Sequence, residues 1–119
     1  MSSQENPITT SVDVAALERL SDLGVLSKVG HLYLENSRSL IDEGRAATAR
    51  GDLDTVARVF HTLKSSSAMV GATELSDLSA LMESVANDKN LKECQELISK
   101  TVDSHERTVQ DLESYLEQI

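Results

Sequence analysis

From Val12 to Leu116 the apolar residues recur every three or four positions, and the single proline, Pro7, lies before this stretch begins. A period of 3.6 places such residues along one side of a helix, whereas a half-buried strand would alternate at every second position. With five glycines to interrupt it, the chain has few places to leave the helical path. Aromatics make up 3% of the residues, and Leu, Ala, Glu, Ser and Asp are abundant, a mixture that favours helix over sheet.

The spacing predicts a short helix over Val12 to Leu20, carrying Val14, Leu17 and Leu20. A longer one follows, with Leu23, Leu26, Val29, Tyr33, Leu40, Ile41 and Gly44 on one face, and Gly51 is its expected stop. Asp52 reads as the N-cap of the next helix, its carboxylate accepting from free backbone N–H groups, and that helix should break at Gly71. A further helix begins near Thr73 with Leu75, Leu78, Leu81, Met82 and Val85 as its stripe. The cluster Asn87-Asp88-Lys89-Asn90 is a loop, and Asn90 with Glu93 resembles a capping box for the last helix. That last helix carries Leu91, Cys94, Leu97, Ile98, Val102, His105, Val109, Leu112 and Leu116. Four substantial amphipathic helices with short connections imply an all-α, antiparallel up-and-down four-helix bundle, with the short additional N-terminal helix as a lid on one end. At 119 residues the chain has room for one such domain, over residues 11–119, preceded by a polar, flexible tail over residues 1–10.

A net charge of −9 argues against nucleic acid, whose phosphates would repel the chain. No apolar run is long enough to span a membrane, and the N-terminus lacks the basic and apolar parts of a signal peptide, so a cytoplasmic protein is expected. Cys94 is the only cysteine and falls in an apolar register, as a small core residue does.

Three histidines remain as carriers of chemistry. His105 falls on the apolar stripe of the last helix and reads as a buried histidine with a hydrogen-bond partner. His31 flanks a stripe with no constellation around it. A di-iron bundle would place Glu three residues before a ligating histidine, but those positions hold Lys28, Arg58 and Val102. Metal binding is not expected, and the absence of a glycine-rich phosphate loop argues against ATP binding.

His61 differs. At about 100° per residue, Leu53, Val56, Phe60, Leu63 and Ser67 form the core-facing sector of its helix, and His61 lies roughly 100° or more from the centre of that sector. Ala57, Lys64, Ser65 and Ala68 share its flank, with Arg58 slightly further round. Between Gly51 and Ala72 the charges are Asp52, Asp54, Arg58 and Lys64, a neutral stretch in an acidic chain. Lys64 and Arg58 suit the offsetting of negative charge placed on the imidazole, and a phosphoryl group fits such donors. Periodicity alone also accommodates an ordinary surface histidine beside an ordinary lysine.

The run His61-Thr62-Leu63-Lys64-Ser65-Ser66, closed by Gly71-Ala72, resembles the signature of histidine-containing phosphotransfer (HPt) domains, typically His-x-Leu-Lys-Gly-Ser/Ala. The close match covers about residues 53–86, and the helical pattern is compatible from 12 to 117. The resemblance implies a phosphorelay intermediate that accepts a phosphoryl group on His61 from a receiver-domain aspartate and passes it to another. It matches Lys64 to the lysine that holds the phosphoryl group, Leu63 to a core position and Gly71 to the helix-ending glycine. It places Glu83 on the next helix facing the imidazole, where a carboxylate would fix the ring tautomer; on its own, Glu83 reads as a solvated helix residue. The flank of Ala57, Arg58, Ser65 and Ala68 becomes the expected docking surface for response-regulator receiver domains and a hybrid sensor kinase.

Mg²⁺ is expected on the partner receiver, with no cofactor on this chain, which is expected to be a monomer without autokinase or ATPase activity. Ser65 stands where the family usually has glycine; serine is the next smallest polar choice, so transfer is expected to survive while partner choice differs. The alternative is an acidic helical adaptor that docks a partner without phosphotransfer. An enzyme using His61 as a general base lacks a paired acid or a cofactor loop in the sequence.

Overall fold

The computed structural model describes residues 11–119. The tail expected over residues 1–10 lies outside the described residues. Five helices follow one another: α1 (Val14–Asp22), α2 (Leu26–Arg50), α3 (Leu53–Met69), α4 (Thr73–Asn87) and α5 (Leu91–Glu117). The connections from α2 onward are two or three residues long, which forces each helix back against its predecessor. The most extensive packing is α3 on α4, followed by α2 on α3, α4 on α5 and α2 on α5, with α1 resting on α2. These pairings close a ring of four antiparallel helices.

Local chemistry sets the boundaries. Asp13 caps α1 by accepting from the Ala15 N–H, so the helix begins at Val14 rather than at Val12. Val12 lies outside the helix but is buried in the core. Gly51 ends α2 in the left-handed conformation, with φ of 76°. Asp52 accepts from the Thr55 N–H and hydroxyl, and those bonds hold its carboxyl below the usual range. Asn90 accepts from the Glu93 N–H, while Glu93 takes its bond from the Asn90 side-chain amide.

Two apolar assignments differ from the expected stripes. Leu23 caps the end of α1 rather than opening α2, and it is 74% exposed. Leu81 is 42% exposed because it sits about 100° round α4 from Met82; the buried face there runs through Leu75, Ser79, Met82, Val85 and Ala86. On α3 the fully buried residues are Val56, Val59, Phe60, Leu63 and Ser67, so Val59 widens the core sector and Leu53 only half enters it. Gly44 of α2 lets the Phe60 ring approach: a Cβ there would lie 2.8 Å from two ring carbons. The core is therefore built against the inner face of α3, leaving its outer face free.

Candidate functional site

His61 stands on that outer face, its side chain 64% exposed. Its Nδ1 lies 2.8 Å from Oε2 of Glu83 on α4, and Nζ of Lys64 lies 2.9 Å from Oε1 of the same carboxylate. One carboxylate thus holds two α3 side chains that are three residues, or nearly one turn, apart. The Glu83 side chain is 20% exposed. The Lys64 bond and, more weakly, the His61 bond hold its carboxyl below the usual range against the opposing effect of burial. An ionised carboxylate can only accept, so Nδ1 of His61 must be the donor. In the neutral ring the other nitrogen, Nε2, then keeps its lone pair and faces away from the carboxylate.

The remaining flank residues divide by position. Ala57 is half-buried, while Ser65 and Ala68 are exposed beside the imidazole. Arg58 is exposed but engaged: its guanidinium pairs with Glu43 of α2. Two ion pairs therefore bracket His61, Lys64–Glu83 on the α4 side and Arg58–Glu43 on the α2 side. No local pattern marks Glu43, because its pairing depends on how α2 and α3 are aligned.

The other two histidines are elsewhere. His31 is exposed, with its Nδ1 donating to the Ser27 carbonyl at 2.7 Å. His105 is buried on α5, its Nε2 2.9 Å from the Ser37 hydroxyl, and burial pushes its pKa down, with Arg38 adding to the effect and Asp42 opposing it. A second buried pair, Tyr33 with Ser67 at 2.8 Å, joins α2 to α3, and burial raises the Tyr33 phenol to about 12. Among the described residues no group of three or more His, Cys, Asp or Glu side chains could hold a metal ion. No helix among them is long and apolar enough to cross a membrane.

The family model for the Hpt domain matches residues 31–119, three quarters of the chain. The chain belongs to the Hpt family. Its role is accordingly phosphotransfer in two-component signalling, in which Hpt domains interact with response-regulator receiver domains and kinases. The fold agrees with the crystal structure of histidine-containing phosphotransfer protein B (HptB) from Pseudomonas aeruginosa PAO1. That likeness has a TM-score of 0.86 at 17% identity and covers 92% of this chain and 97% of the other. No curated protein matches the chain.

Proposed function

We propose that this Hpt protein is a phosphorelay intermediate in which Nε2 of His61 takes a phosphoryl group from a receiver-domain aspartate and hands it to a second one. The observation that carries the reading is the shared carboxylate: Glu83 bonds Nδ1 of an exposed histidine and Nζ of Lys64 at once.

In the accepting step the Nε2 lone pair forms a bond to phosphorus while the bond from phosphorus to the aspartyl oxygen breaks, returning the receiver's carboxylate. The ring keeps its Nδ1–H and becomes a phosphorylated imidazolium, whose positive charge faces the Glu83 carboxylate. Lys64 has N–H donors beyond the one given to Glu83, and these meet the phosphoryl oxygens. The donating step is the reverse, with a second aspartate as nucleophile. Phosphoryl transfer depends mainly on alignment and charge neutralisation, so a small exposed site suffices when the partner brings the Mg²⁺. The chain acts as a cytoplasmic monomer that neither binds ATP nor phosphorylates itself, and a hybrid sensor kinase stands upstream of it.

The receiver docks on the flank of Ala57, Arg58, Ser65 and Ala68. An apolar cleft lined by Val29, Leu32, Tyr33, Met69 and Val70 extends that surface beyond His61 towards the end of α3. Ser65, exposed and small, leaves the approach to the imidazole open despite replacing the usual glycine.

The test is to mix the protein with a phosphorylated receiver domain and Mg²⁺ and to look for acid-labile, base-stable phosphate on the chain, with His61→Gln as control. Labelling of the wild type alone supports the reading. Failure against a broad panel of receivers, or equal labelling of His61→Gln, would overturn it.

A further inference from the structure

Most hydroxyl side chains that bond to backbone in these helices bond within their own helix. Thr48 donates to Gly44, Thr62 to Arg58, Ser66 to Leu63, Thr101 to Leu97 and Thr108 to Ser104. Ser76 departs from this habit. Its Oγ leaves α4 and donates to the carbonyl oxygen of Lys64 on α3 at 2.9 Å. Among the described residues it is the one side chain that donates to a backbone carbonyl of a different helix.

The acceptor belongs to the residue whose ammonium shares Glu83 with His61. Ser76 and Glu83 are seven residues apart on α4, about two turns, and so point within about 20° of the same direction. Side-chain packing alone lets two helices slide or rotate by fractions of an ångström. A bond from one helix to the backbone of the other fixes height and rotation together, because a backbone carbonyl has no rotamers of its own. With α4 held at Lys64, its next two turns bring the Glu83 carboxylate to both Nδ1 of His61 and Nζ of Lys64. The far end of the pair is held by the backbone of the turn, where the Ala72 N–H donates to the Ser67 carbonyl at 2.8 Å.

We infer that Ser76 is a positioning residue for phosphotransfer: its bond to the Lys64 carbonyl sets the α3–α4 alignment that lets Glu83 fix the tautomer of His61. The effect on rate rests on the proposed phosphotransfer reading, whereas the effect on the tautomer is a property of the chain alone.

The experiment measures both on the full chain. Nitrogen-15 spectra of the His61 ring report which nitrogen carries the proton, and transfer from a phosphorylated receiver domain reports the rate. In the wild type the neutral ring is expected to carry its proton on Nδ1, the nitrogen that faces Glu83. Ser76→Ala is expected to shift the ring towards mixed tautomers and to slow transfer by roughly tenfold, since small misplacements near a reacting group are costly. Ser76→Thr, which keeps the hydroxyl, restores both. Thr101→Ala, on α5 and away from the site, controls for general loosening and keeps the wild-type tautomer.

An unchanged tautomer in Ser76→Ala would overturn the inference, as would an equal shift in Thr101→Ala. If the wild type accepts no phosphate while Ser76→Ala alone shifts the tautomer, the positioning role stands and the phosphotransfer reading falls. If the wild type transfers and Ser76→Ala matches it in tautomer and rate, the positioning role falls alone.

Discussion

Nδ1 of His61 lies 2.8 Å from Oε2 of Glu83, which stands 22 positions later on the neighbouring helix. The contact fixes the direction of the imidazole as well as its proton, and both matter for the proposed in-line attack on phosphorus.

Replacing Glu83 separates its part as acceptor from its part as charge. Glu83→Gln keeps an oxygen acceptor for Nδ1 but removes the charge facing the phosphorylated ring, and transfer to His61 is expected to slow by about threefold to tenfold. Glu83→Ala removes acceptor and charge together and is expected to slow transfer further. Single-turnover transfer from a phosphorylated receiver measures both, and wild-type rates in both variants would remove Glu83 from the site.

In the proposed mechanism Lys64→Ala removes one charge-assisted donor to the phosphoryl group, worth about 1.5 kcal/mol, or roughly tenfold in rate. The Lys64–Glu83 pair is partly exposed, so thermal stability should fall by no more than about 1 kcal/mol. A melting curve alongside the transfer assay distinguishes lost chemistry from lost fold.

Gly71 and Gly24 both have φ of 77°, but their surroundings differ. A Cβ on Gly24 meets nothing within 4 Å, whereas one on Gly71 would lie 2.8 Å from the backbone N and O of Asp13. Gly24→Ala should therefore cost only the left-handed penalty of about 1–2 kcal/mol. Gly71→Ala adds a collision with the backbone that joins α1 to the α3–α4 turn, where the Asp13 N–H donates to the Gly71 carbonyl. Urea unfolding should show Gly71→Ala as clearly the less stable of the two, and equal midpoints would contradict this.

Much of this fold was legible because its signals are local. Gly51, Asp52, Gly71 and Asn90 mark helix ends through their own backbone and side-chain chemistry, and helical phase alone separated His61 from the core. Leu23 and Leu81 misled because an exposed leucine and a buried one read alike in a stripe. The pairings Arg58–Glu43, Ser76–Lys64, Tyr33–Ser67 and Ser37–His105 were not legible, since each joins two helices whose relative height and rotation no local pattern encodes. Glu83 was placed only by holding the turn in register with the family pattern.

His105 supplies a pH dependence separate from the site. Burial holds its pKa below 6.5, so the unfolded chain binds a proton at His105 more readily than the folded one. Its contribution to stability is fully present above about pH 6.5 and is lost as pH falls through the lower folded value. Glu83 and Glu74, also lowered from 4.5, act in the same sense but in a more acidic window. Urea midpoints at pH 7.5 and 5.5 should therefore fall for the wild type and change less for His105→Gln. Equal changes in the two proteins would show that His105 does not carry the dependence.

In the proposed mechanism Nε2 of His61 carries the phosphoryl group. The direct measurement is nuclear magnetic resonance of the nitrogen-15-labelled protein after phosphorylation by a receiver domain, following phosphorus coupling into the imidazole. Coupling is expected at Nε2 of His61, with Nδ1 still protonated against Glu83. Phosphate on Nδ1 of His61, or on His31 or His105, would contradict it.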